Sequence, residues 1–153
     1  MKIKILFVGK TVDDRITSIV DDYLKRIKNI DITVKIVPGA KKKYSVEVQK
    51  SEEGRSIISF IDDSEFVAIL DDKGDSFTSR QFAEWLERRQ TASRNITFVV
   101  GGAYGFSNEV YDRADSRISL SKMTFSHQIV RAIFAEQLYR AFTIIAGLPY
   151  HHE

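Results

Sequence analysis

Apolar positions along this 153-residue chain switch repeatedly between a two-residue and a helical period. Residues 2–8 (KIKILFV) form a β-rich run that ends at Gly9. Over 13–28, Ile16, Val20, Tyr23, Leu24 and Ile27 recur at helical spacing. Residues 32–37 (ITVKIV) read as a strand closed by the turn pair Pro38-Gly39. A second helix is expected over 45–61, weakened by Gly54. Residues 65–71 (EFVAILD) are strand-like and close with Asp71-Asp72-Lys73-Gly74-Asp75. Thr78 and Gln81 have capping-box spacing at the start of a helix over 78–90 with a charged outer face. Residues 96–100 (ITFVV) form a strand that runs into Gly101-Gly102-Ala103-Tyr104-Gly105. A short helix follows from Ser107 to Ala114, then a short strand over 117–120. The last helix spans about Ser126 to Ala146, with Val130, Ile133, Phe134, Leu138, Phe142 and Ile145 as its apolar stripe. Gly147 caps it and Pro149 prevents its continuation.

Five strands alternating with five helices specify an α/β layer fold with a largely parallel sheet. No linker, repeat or low-complexity segment divides it, so residues 1–153 are expected to form a single domain. That length buries a normal core without disulfides or metal. The composition, 43% hydrophobic and 29% charged, is that of a soluble globular protein. No apolar stretch approaches the roughly 18–20 residues that span a bilayer. The opening MKIKILFVGK holds only four consecutive apolar residues, Ile5 to Val8, too few for a signal-peptide core. No membrane partner is expected, and the location is expected to be cytoplasmic.

The chain has no cysteine, which excludes a thiol nucleophile, an iron–sulfur cluster and a zinc ribbon and fits the cytosol. Its three histidines are His127, His151 and His152, without HExxH or His-x-His spacing, so no metal is expected. The net charge of +2 hides an asymmetry. Residues 1–50 hold 12 Lys+Arg against 6 Asp+Glu, whereas 51–100 hold 6 against 10. The basic third, with the run Lys41, Lys42 and Lys43, could meet a phosphate backbone, but on charge alone the favoured reading is a solvated helix face followed by a loop.

In open parallel sheets ligands bind outside the carboxyl ends of the strands. Three loops leave that edge: Leu70 to Gly74, Gly101 to Gly105 and Ser121 to Ser126. A glycine pair after a buried strand lets backbone approach a ligand closely, or simply makes a tight turn. Phe125 and Met123 suit the floor of an adenine pocket or plain core. The familiar nucleotide signatures fail. GGAYG lacks GxGxxG spacing, and Gly9-Lys10-Thr11 lacks the P-loop's first glycine, since Lys4 stands there. Ser126-His127 has no GxSxG elbow around it. Taken singly, His127 is either a helix-start residue or a catalyst, and Arg131 and Arg140 are ordinary surface arginines or ligand contacts.

Together, FVVGGAYGF, SLSKMTFSHQIVR, EQLYRAF and the terminal PYHHE, with the MKIKILFVGK opening and ILDDKG, resemble the RlmH family. These are small SPOUT-class enzymes that methylate N3 of a pseudouridine in 23S ribosomal RNA. The resemblance covers essentially the whole chain. It implies an α/β/α SPOUT fold with a C-terminal trefoil knot, a topology that general rules of chain connection reject. It implies S-adenosyl-L-methionine held by the knot loops, at Leu70, Gly102 and the run Ser121, Lys122, Met123, Thr124, Phe125 and Ser126. It also implies a homodimer with facing knots, and 23S rRNA in the large subunit or assembled ribosome as partner. His127, Arg131 and Arg140 match positions lining the same cavity, while Tyr150 and His151 match a tail completing the RNA side. Catalysis is thereby expected of His127, Arg140, Tyr150 and His151, and RNA contact of Arg131, Lys41, Lys42 and Lys43. Ser126 stands where family members often carry proline; its hydroxyl is suited to capping the following helix instead. Two alternatives remain at this point: a SPOUT enzyme acting on another RNA, such as a tRNA ribose hydroxyl, and a ribosome-binding assembly factor without catalysis.

Overall fold

The β-rich runs at 2–8 and 96–100 become inner strands of a parallel sheet, covered on both faces along most of their length. The computed structural model describes residues 1–41, 44–92 and 95–152. In chain order it contains β1 (Lys2–Val8), α1 (Asp14–Arg26), β2 (Asp31–Val37), α2 (Val46–Ser59) and β3 (Phe66–Ser76), followed by α3 (Ser79–Thr91), β4 (Ile96–Val100), α4 (Asn108–Arg113), β5 (Ser116–Ser119) and α5 (Ile129–Ile145). The strand order is β2-β1-β4-β3-β5, and every pairing is parallel.

Alternate residues of each inner strand feed two cores. Ile3, Ile5, Phe7 and Phe98 pack with α1, α3 and α5 through Val20, Trp85, Phe134 and Leu138. Leu6, Val8, Val67 and Val99 pack with α2 and α4 through Ile57 and Val110 on the opposite face. The result is an α/β/α sandwich. The Thr78–Gln81 capping box forms in both directions, and Gly147 closes α5 with a φ of 71°.

Several boundaries differ from the sequence-based expectation for identifiable reasons. α2 passes through Gly54 without a break, because that glycine is where the helix meets the start of α4. A Cβ there would stand 2.2 Å from Ser107 Oγ. α5 begins at Ile129 rather than Ser126, since residues 127–128 form a turn. Its buried positions are Arg131, Ala132, Phe134, Ala135, Leu138, Ala141 and Thr143, so the inward face is rotated from the expected stripe. Among the described residues no helix is long and apolar enough to cross a membrane.

The largest difference is β3, which continues past Asp71 to Ser76. Leu70 and Asp75 both pair with Ile118 of β5, so residues 71–74 bulge out of register above the sheet's carboxyl edge. Gly74 lies against the β5 backbone: a Cβ would sit 2.6 Å from the Arg117 carbonyl carbon and 2.7 Å from the Ile118 nitrogen. Backbone cannot yield as a flexible side chain does. Gly74→Ala is therefore expected to lower unfolding free energy by about 1–3 kcal/mol in urea denaturation. An unchanged midpoint would show that the bulge is not pinned there.

Candidate functional site

Val100 at the end of β4 pairs with both Phe7 of β1 and Leu70 of β3. This register brings the ends of β1 and β4 level with the start of the β3 bulge, and the bulge, the loop after β4 and the loop after β5 surround a cavity of about 800 Å³. Its apolar wall comes from Leu70, Val100, Ile118, Leu120 and Val130. The β3 bulge contributes Asp71, Asp72 and Lys73, and the β4 loop contributes Gly101 to Phe106. Ser121, Met123, Thr124, Phe125, Ser126 and His127 close the remaining side. The volume is that of a small-molecule site, with polar and apolar groups lining it in about equal measure.

The two adjacent glycines serve different ends. A Cβ on Gly101 would lie 2.9 Å from the Phe106 ring, so the fold itself requires glycine there. Gly102 has no positive φ, and its Cβ would meet nothing nearer than 3.5 Å. The fold makes no such demand at Gly102, where a Cβ would make ordinary contact with the Glu53 carboxylate and Val8.

The third loop is stapled by its own hydroxyls. Ser119 Oγ donates to the Ser121 carbonyl at 2.9 Å, and Ser121 Oγ accepts from the Met123 N–H at 2.9 Å. Ser126 Oγ accepts from the Ile129 N–H at 3.1 Å, the helix-capping role anticipated for serine at this position. The bulge is anchored as well. The Tyr111 phenol on α4 is pushed above its ordinary value by burial and by its hydrogen bond to the Asp71 carboxylate. The Arg117 guanidinium lies 4.5 Å over the same ring.

Of the residues expected to hold a cofactor, Leu70, Gly102, Ser121, Met123, Thr124, Phe125 and Ser126 line the cavity together, and His127 joins them. Lys122 is exposed and outside the lining. Arg140, Tyr150 and His151 are also outside it and form a second cluster on α5 and the tail. Glu136 is its hub: its Oε1 accepts from Arg140 Nε at 3.0 Å, Arg140 Nη2 at 2.5 Å and the Tyr150 hydroxyl at 3.3 Å. Arg140 Nη1 contacts His151 Nδ1 at 3.1 Å. A guanidinium can only donate, so Nδ1 is the acceptor, and a neutral His151 ring carries its proton on Nε2. Tyr150 stands edge-on to Tyr139, with ring centroids 4.8 Å apart and the Arg140 guanidinium 4.7 Å above its own ring.

Arg131 requires a correction. Neither a surface arginine nor an RNA contact, it is 0% exposed and donates to the Val8 and Gly9 carbonyls and to Thr11 Oγ1. Lys41 is exposed at the end of the loop after β2. Lys42 and Lys43 lie outside the described residues. Lys50 and Tyr111 also line the cavity but carried no sequence signal, because they come from α2 and α4, packed on the sheet's other face.

Comparison with known proteins decides the family. A profile described as "Predicted SPOUT methyltransferase" matches residues 1–151. The chain belongs to the SPOUT methyltransferase family. It is 47% identical over 156 residues to a ribosomal RNA large subunit methyltransferase H of Christiangramia forsetii, covering 99% of each chain. To the protein of the same name from Phocaeicola vulgatus it is 45% identical over the full length of both. A probable methylase family protein from Haemophilus influenzae shares the fold at TM-score 0.57 and 11% identity, covering 99% of this chain and 70% of that one. The enzyme is therefore an RlmH-type SPOUT methyltransferase.

One pH dependence follows from the tail cluster. The Tyr150 phenol is pushed up to about 12, first by its hydrogen bond with Tyr23 and then by burial and the nearby Glu136 charge. A folded-state value raised above the ordinary 10.0 means that this contribution to tail docking is complete below pH 10 and is lost as pH rises through about 12. Ultraviolet difference titration should show, besides the raised Tyr111, a late-ionising tyrosine that is absent in Tyr150→Phe. Titration of every tyrosine near the ordinary value would contradict the docked tail.

Proposed function

We propose that this enzyme transfers a methyl group from S-adenosyl-L-methionine to N3 of a pseudouridine in 23S ribosomal RNA. It acts in the cytoplasm as a homodimer, on the large subunit or the assembled ribosome. The observation that supports this most directly is the meeting of Leu70, Gly102 and the 121–126 loop at one cavity. It is supported further by near-full-length similarity to enzymes named for ribosomal RNA methylation. The residues suit the donor. The apolar wall accepts a purine, the Ser121 and Thr124 hydroxyls and the loop backbone offer hydrogen bonds, and Asp71 and Asp72 face a cationic ligand favourably. When bound, S-adenosyl-L-methionine supplies a methyl group on a positively charged sulfur.

The chain's own tasks are alignment and proton removal. Holding acceptor and donor in line is worth up to roughly 7–11 kcal/mol. The acceptor N3–H must lose its proton, and a positioned base contributes about 10²–10⁴-fold. His151 has its Nδ1 committed to Arg140, whereas His127 is exposed at the cavity rim. His127 is therefore assigned as proton acceptor, with Arg140, Tyr150 and His151 orienting the base. From Ile129 to Arg140 α5 rises by roughly 16 Å, so the tail cluster stands well away from its own chain's His127. The homodimer, with the knotted segments of β4 to α5 face to face, brings one protomer's tail to the other's cavity. Lys41, Lys42 and Lys43 add salt-dependent attraction to the RNA backbone.

The direct test incubates purified enzyme and labelled S-adenosyl-L-methionine with ribosomes lacking the modification, followed by nucleoside mass spectrometry. Labelled 3-methylpseudouridine is expected. Cofactor binding without label in large-subunit RNA would favour another RNA target or an assembly factor. In the same assay His127→Gln should lose about 10²–10⁴-fold in rate at unchanged cofactor affinity. An undiminished rate would remove His127 as the base.

A further inference from the structure

The segment between β1 and α1 has little regular structure of its own, yet much of its polar backbone ends on two side chains of the α5 region. Gln128 Oε1 accepts from the Val12 N–H at 2.8 Å, and Gln128 Nε2 donates to the Lys10 carbonyl at 3.1 Å. Arg131 Nη1 donates to the Gly9 carbonyl at 2.9 Å and to Thr11 Oγ1 at 2.8 Å, while Nη2 donates to the Val8 carbonyl at 2.7 Å. Residues 8 to 12 are thus each engaged, across more than a hundred residues of chain. The two anchoring side chains alternate with His127 and Val130, which face the cavity.

We infer that Gln128 and Arg131 are positioning residues that clasp the segment after β1 to the first turn of α5 and so set His127 at the cavity rim. The chemistry of Arg131 fits nothing simpler. Each hydrogen-bonding partner named above is a neutral oxygen, its guanidinium lies 4.8 Å from the Phe7 ring centroid, and burial lowers its pKa from the ordinary arginine value. A buried cation without a carboxylate is costly, and here the two Nη groups find three oxygen acceptors while the buried Nε–H finds none among the described residues. A guanidinium fork reaches two carbonyls and a hydroxyl at once, which a single ammonium on a flexible stem cannot match. Gly9 turns the chain into this clasp with a φ of 79°, its N–H donating to the Val37 carbonyl at 2.7 Å. On the other side of His127, the Ser126 cap holds the same helix start. His127 is bracketed from both directions.

The clasp stands on geometry alone; its bearing on methyl transfer rests on the function proposed above. The test uses Gln128→Ala, because Gln128 is only half-buried and its loss spares the core, whereas Arg131 variants risk unfolding. Hydrogen–deuterium exchange of the substrate-free protein is measured first. Loss of two hydrogen bonds should speed exchange at Val12, and at Ile129 and Val130, by about tenfold while Phe134 to Leu138 stay protected. Methyl transfer at saturating S-adenosyl-L-methionine should fall about tenfold with the KM for the methyl donor within roughly threefold of native, as loss of orientation rather than binding requires. Gln128→Glu, which keeps an acceptor for the Val12 N–H, should recover part of both. Acceleration confined to Val12, or loosening of both segments with a native transfer rate, would overturn the clasp. If the segments loosen together but native enzyme methylates no ribosomal RNA, the clasp holds and the proposed function fails.

Discussion

A central parallel strand buried on both faces leaves its chain one way to continue: out over the carboxyl edge and into a crossover. β4 is such a strand, and Val100 at its end is in register with both Phe7 and Leu70. That alignment brings the bulge of β3 and the loop after β4 out at one level. β5 adds a further loop beside them, because β3 overruns its own register to pair with Ile118 a second time. Each wall of the cavity traces back to this arrangement. Hydrophobic burial drives it, and the pairing of backbone groups makes it specific.

The cavity walls are then fixed by short-range chemistry rather than by bulk. Serine hydroxyls tie the 121–126 loop to itself and to α5. Tyr111 holds the bulge through Asp71, and the Gly74 contact leaves no space for the bulge to settle. Side-chain amide and guanidinium groups hold the segment after β1 to the same helix start. A methyltransferase gains most from pre-set geometry, since displacement at a methyl group tolerates little misalignment. The apolar wall gives the site affinity, and the hydrogen-bonded loops give it aim.

Much of this was readable from residues whose local chemistry agrees with their tertiary surroundings. The runs KIKILFV and ITFVV read as strands, and Thr78, Gln81, Gly147 and Pro149 punctuate helices through local rules. The three loops that line the cavity were legible through their order at one sheet edge. Features decided by distant partners were not. DDKGD reads as a turn, and only pairing with β5 extends it as strand. Gly54 reads as a weak point until Ser107 is seen against it. Arg131 reads as surface because a charged helical residue normally is; its partners are carbonyl and hydroxyl oxygens about 120 residues away. The separation of the tail cluster from the cavity likewise depends on the length of α5, not on any motif.

The central claim is that three loops at the carboxyl edge form a cradle for the methyl donor. It is tested most directly by mapping backbone hydrogen exchange of the purified protein with and without saturating S-adenosyl-L-methionine. Protection is expected at residues 70–72, 101–105 and 121–126, leaving the 62–65 turn at the opposite edge unchanged. Protection elsewhere, or none, would contradict the account.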